Sequence, residues 1–113
     1  MRVIVCGSRR WSDRRKIGDR LFALDPNTIL VHGGARGADR IAEEEAGKCG
    51  IWTEVHLPDY ERHGKKRAPL ERNKLMAELG ADLCIAFWDG RSTGTAHMME
   101  EARKRGIPVE VVA

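Results

Sequence analysis

Long hydrophobic runs are missing from this 113-residue chain, and with them any segment able to cross a bilayer as a helix. The opening stretch MRVIVCGSRR is too short in its apolar part, and turns basic too soon, for a secretory signal. A cytoplasmic location with no membrane partner is therefore expected. Cysteine is sparse: Cys6, Cys49 and Cys84 show no C-x-x-C spacing, and two of them lie in apolar runs. That pattern points to reduced core thiols rather than to disulfides or a metal centre, and neither a metal nor a cofactor is expected. Aromatic residues are few, with three Trp, two Phe and one Tyr, and they form no row on which a nucleic-acid strand would stack. No repeat, low-complexity tract or linker interrupts the chain, so residues 1–113 are read as one domain.

What is present is charge, unevenly spread. The net charge is only +3, yet residues 1–20 hold seven basic and two acidic side chains, and residues 62–74 hold six and one. Two cationic segments of this kind either converge on a phosphorylated or polyanionic ligand or are solvated helix faces.

Five apolar runs recur at 2–6, 28–32, 52–57, 82–87 and 108–112. Four are β-branched or continuously apolar, as strands covered on both faces must be, and the third alternates like an edge strand. Helical patterns lie between them. One follows Ser12 as a cap and carries Ile17, Leu21 and Leu24; a second spans 37–49; a third spans 68–79 with Pro69 in its first turn; a fourth spans 94–105. Strict alternation predicts an α/β fold with a parallel sheet between helix layers, and ligands in such folds bind at the carboxyl ends of the strands.

The three loops at that end are chemically unusual. CGSRRWSD offers Gly7, Ser8 and the forked donors of Arg9 and Arg10, while Trp11 either stacks on a base or packs against the helix it precedes. HGGARGAD offers Gly33, Gly34, Arg36 and Gly37 ahead of a helix, without the spacing of a Walker or dinucleotide motif. Asp39, in the first turn, serves the helix dipole or a ribose hydroxyl, and His32 reads as a satisfied strand-end histidine or a catalytic one. FWDGRSTGT sets Asp89, Gly90, Arg91, Ser92, Thr93, Gly94 and Thr95 before another helix, which suits a phosphate or sugar-phosphate. The segment ERHGKKRAPLERNKLM reads as a flexible basic loop, a lid or a solvated stretch, leading into a helix that bears Arg72 and Asn73.

Taken together, GSR, VHGGARGAD, RNKLM, DGRSTGT and GIPV, in that order, resemble the SLOG superfamily, which groups DprA proteins, LOG phosphoribohydrolases and small YspA or cpYpsA-related domains of bacteria and phages. The resemblance implies a Rossmann-like three-layer fold of five parallel strands in the order 3-2-1-4-5. It also implies a nucleotide-derived ligand at Gly7, Ser8, Arg9, Gly33, Gly34, Gly37, Asp39, Arg72, Gly90, Gly94 and Thr95. The LOG enzymes place an arginine in R-K-x-x-M and a glutamate in P-G-G-x-G-T-x-x-E. Here Arg72 and Met76 fit the first pattern with Asn73 in place of lysine, and Met98 stands where the glutamate belongs. A thioether cannot activate water, and Glu100 lies roughly 200° around the helix from that position. Arg72, Asp39 and Asp89 remain as catalytic candidates. The expected function is thus binding of a signalling nucleotide or ADP-ribose-like molecule by a sensor or sequestering protein. The alternatives are a nucleotide N-glycosidase or phosphohydrolase, and a single-stranded DNA-binding module. Self-association is expected from the resemblance, with Met98 and Met99 either at an interface or in the core.

Overall fold

Alternate residues of the central strands face opposite ways, and that alternation sorts the core into two layers. In the computed structural model, which describes residues 1–113, the elements follow as β1 (Arg2–Gly7), α1 (Arg14–Phe22), β2 (Ile29–His32), α2 (Ala38–Cys49), β3 (Trp52–Val55), α3 (Tyr60–Glu78), β4 (Leu83–Phe87), α4 (Thr93–Lys104) and β5 (Val109–Val112). All pairings are parallel and the order is β3-β2-β1-β4-β5, the expected three-layer α/β fold. Val3, Val5, Leu30, Ile85 and Phe87 meet Ile17, Leu21, Ala38, Ala42 and Ala46 of α1 and α2. Their neighbours Ile4, Cys6, Val31, Cys84 and Ala86 meet Met76, Ala77, Met98, Met99 and Ala102 of α3 and α4. Each fully buried aliphatic or aromatic side chain contributes about 1.5–3 kcal/mol, so the two layers hold the sheet from both sides. No helix is long and apolar enough to cross a membrane.

Five sequence expectations need correction. Asp13, not Ser12, caps α1 by accepting from the Lys16 N–H at 3.2 Å. The third strand stops at Val55, because Pro58 has no N–H to extend a ladder and the chain turns there into α3. The basic segment expected as a flexible loop is helical: Asp59 accepts from the Arg62 N–H at 3.1 Å, the helix starts at Tyr60, breaks at Gly64 (φ +78°) and resumes to Glu78. Pro69 therefore lies inside α3, one turn after the break rather than at the start of a helix. Met98 and Met99 are core residues, 1% and 3% exposed, so the interface reading for them fails.

Candidate functional site

Two backbone hydrogen bonds draw the carboxyl-end loops together. The Ser8 N–H donates to the Phe87 carbonyl at the end of β4 (3.0 Å), and the Ala38 N–H at the start of α2 donates to the Ser8 carbonyl (3.1 Å). Gly7 permits this approach, since a Cβ there would lie 2.5 Å from the Ala38 Cβ and 2.6 Å from the Phe87 carbonyl oxygen. Gly37 is needed for a second reason: at φ +77°, ψ −125° it occupies a region closed to other residues, with the Ser8 and Arg9 carbonyls where a side chain would go.

The β4–α4 loop is organised by Asp89. Its Oδ1 accepts from the Arg91 and Ser92 N–H groups, both at 2.8 Å, and its Oδ2 from the Ser8 hydroxyl at 2.9 Å. These bonds hold the carboxyl below the usual aspartate range, the backbone donors contributing most. Ser92 then caps α4, accepting from the Thr95 N–H at 3.3 Å. The N–H groups of Thr93 and Gly94 meet no acceptor within the protein and stand at the positive end of a twelve-residue helix.

The β2–α2 loop is organised by Asp39. Its Oδ2 accepts from the Gly33 N–H (3.1 Å) and the Ala35 N–H (3.2 Å), and burial pushes its carboxyl up against the pull of His32, those two donors and Arg72. The Gly34 N–H donates to His32 Nδ1 at 3.0 Å, which leaves Nε2 to carry the proton toward Glu43 at 3.1 Å. His32 is therefore a satisfied, buried histidine that shapes the turn. The N–H groups of Arg36 and Gly37 have no acceptor in the protein.

Arg72 enters from α3. Nη1 donates to the carbonyls of Gly33 (2.6 Å) and His56 (3.3 Å), and Nε to the Asn73 Oδ1 (3.0 Å). No carboxylate oxygen lies within 4.0 Å of it, although the group is largely buried. Burial lowers its proton affinity most; Asp39 and Tyr60 oppose this, while Arg9 adds to it. The guanidinium fills the space above Gly33, where any Cβ would strike it. Asn73 Nδ2 in turn donates to the Gly94 carbonyl at 3.3 Å, tying α3 to the fourth-strand loop.

The loops enclose a small pocket of about 70 Å³ lined by Gly7, Arg9, Asp39, Arg72, Asn73, Gly94 and Thr95, with Met76 and Met98 also on its wall. A cavity of about 440 Å³ lies on the α4 side, bounded by Ser8, Arg9, Arg10, Asp89, Arg91, Ser92 and Thr93. Another of about 330 Å³ lies on the α2 side, bounded by Gly33, Gly34, Arg36, Leu57, Pro58, Tyr60 and Arg72 as well as Arg9. Arg9 borders all three. A groove of about 480 Å³ along the β3 edge is larger, but the one helix N-terminus on it, that of α3, is already capped by the Asp59 carboxylate, and Glu71 and Glu78 also line it, so the crevice is the better candidate for an anion.

A family model described as the YspA, cpYpsA-related SLOG family matches residues 1–63, which include the first two loops. The chain is also 46% identical over 117 residues to the gene 61 protein of Mycobacterium phage D29, covering 96% of this chain and 93% of that one. The chain belongs to the YspA, cpYpsA-related SLOG family. Among solved structures, the DNA processing protein A (DprA) of Streptococcus pneumoniae matches 99% of the chain with a TM-score of 0.85 and 21% identity. This SLOG domain spans 50% of that protein. The DprA of Helicobacter pylori, whose structure is described for its single-stranded DNA binding mode, matches 100% of the chain with a TM-score of 0.74 and 22% identity, the domain spanning 65% of it. At such identities the likeness is one of fold.

Within the SLOG domain most of the expected residues share the crevice, and two do not line it. Gly37 packs against the β1–α1 turn, and Gly90 makes an open turn at φ +80°. Trp11 faces Phe87, with ring centroids 5.6 Å apart, and takes the packing role of its two readings. Sequence reasoning missed Leu57, Pro58 and Tyr60 on the crevice wall. The Asp59 cap was the available signal for where Tyr60 begins a helix.

Proposed function

We propose that this SLOG domain binds a nucleotide or nucleotide-derived ligand, such as a signalling nucleotide or an ADP-ribose-like molecule, as a sensor or sequestering protein. The observation that carries the reading is Arg72: a largely buried guanidinium with no carboxylate partner, beside Arg9 and among unpaired helix N-terminal N–H groups. A phosphoryl group supplies the missing charge and the missing acceptors. Binding without cleavage is supported by the chemistry nearby. Met98 offers no carboxylate, and Asp39 and Asp89 already accept from backbone N–H groups. Mass spectrometry of small molecules released on denaturing the purified protein tests this. An intact nucleotide is the expected result; free base or released phosphate would instead establish an N-glycosidase or phosphohydrolase that uses Arg72 with one of these aspartates.

A second reading, single-stranded DNA binding, is favoured by one feature: Arg62, Lys65 and Lys66 are exposed on α3 beside the crevice. It requires an affinity for oligonucleotides that falls steeply with salt. Affinity that is flat between low and high salt eliminates it. Self-association belongs to the same proposal, with exposed Trp52, Leu57, Leu75 and Leu79 as the apolar surface available, and light scattering reads it directly.

A further inference from the structure

The two sides of the crevice differ in kind. The α4 side has no apolar residue on its wall, only hydroxyls, Asp89 and three arginines. The α2 side adds Leu57, Pro58 and Tyr60 to its cations. A phosphate is served by the cations of either wall and gains nothing from those three side chains. A flat, apolar-faced heterocycle does gain from them.

The apolar wall is fixed in place. The His56 N–H donates to the His32 carbonyl at 2.9 Å, and Arg72 holds the His56 carbonyl from the other side. Leu57 packs onto the glycine turn so closely that a Cβ on Gly34 would lie 2.8 Å from its Cδ2. Asp59 caps α3, which makes Tyr60 the first helical residue and sets its backbone. Tyr60 is 49% exposed and faces a cavity that continues between Arg9 and Lys65. It is the one aromatic side chain on the crevice walls.

We infer that Tyr60 is the base-stacking residue of the site, with Leu57 and Pro58 beside it, and that the ligand lies across the switch point with its phosphoryl group at Thr93 and Gly94. Arg9, which borders both sides, sits where the sugar-phosphate passes between them. This orientation rests on the nucleotide-binding reading above, and it makes the recognised class a nucleotide rather than a sugar phosphate.

The test is titration calorimetry on the full chain with a set of 5′-mononucleotides and with ribose 5-phosphate, for the wild type, Tyr60→Phe and Tyr60→Ala. The preferred mononucleotide should bind about tenfold tighter than ribose 5-phosphate, the increment expected from one stacked base. Tyr60→Ala should erase that increment and leave ribose 5-phosphate binding unchanged. Tyr60→Phe, which keeps the ring, should retain it. Equal weakening of both probes in Tyr60→Ala, or no weakening of the nucleotide, overturns the inference. Equal affinity of the wild type for both probes overturns the stacking wall and leaves phosphate binding standing. Binding of neither probe removes both readings.

Discussion

Arg2 and Arg72 sit toward opposite ends of the same sheet and are treated in opposite ways. Arg2 grips Glu54 with two nitrogens at 3.0 and 2.8 Å, and its Nε donates to the Gly80 carbonyl at 3.2 Å. Glu54 is held down to about 2 by Arg2 first and His56 second. Arg20 with Glu110 and Arg105 with Glu101 repeat the pattern. Arg72 is buried more deeply than Arg2 and has no such partner; nor do Arg9, Arg10, Arg36 and Arg91 around it. The two carboxylates among them, Asp39 and Asp89, are turned toward backbone N–H groups instead. Where structure is the purpose, the chain neutralises its own arginines. At the crevice it leaves them unpaired, as the proposed anion site requires.

The sharpest way to break this contrast is to delete each arginine in turn. Arg72→Met should reduce nucleotide affinity about 100-fold, the size of a lost charge-assisted pair, and also lower stability by about 1–3 kcal/mol as the Gly33 and His56 carbonyls lose their donor. Arg2→Met should touch stability alone, lowering it by about 1–2 kcal/mol in denaturant titration while calorimetric binding is preserved. A loss of binding in the second variant would end the comparison. Next in size is Gly37→Ala, which should lose about 2 kcal/mol of stability because the backbone itself must move. Gly33→Ala meets only the flexible end of Arg72, so affinity should fall about tenfold with most stability retained.

The smallest effect is a pH dependence. Glu54 is a depressed acid, so its stabilisation is complete above its ordinary value of 4.5 and is lost as pH falls toward about 2. Asp89, also depressed, adds to the loss on the acid side. Asp39, raised by burial, works the other way, favouring the folded state at low pH and losing that contribution as pH rises through its folded value. Melting curves from neutral pH down to acid should show a decline in the Glu54 window that shrinks in Arg2→Met.

Much of this was legible in the residues, and the misses have physical causes. The central strands read correctly because full burial demands unbroken apolar runs such as VIVC and LCIAF. That the three loops meet at one end of the sheet was legible because strict alternation of strands and helices makes the sheet parallel and brings those ends together. The start of α3 was hidden by Gly64, a break placed soon after the helix begins, and by a polar composition that mimics a loop. The tasks of Asp39 and Asp89 were hidden because they depend on where turn N–H groups point, which side-chain identity does not encode. Tyr60 was invisible for a third reason: only the pairing of β3 with β2 brings the end of one strand beside the glycine turn of the other.

The unpartnered charge of Arg72 has a consequence for the protein's lifetime. An anion that binds the folded chain and not the unfolded one adds to its stability by mass action, about 2.7 kcal/mol at a free concentration 100 times the dissociation constant. If the proposed anion site is filled, the melting temperature of this small domain follows the abundance of the anion. In a cell, where unfolded chains are degraded, the amount of protein would rise and fall with the molecule it binds.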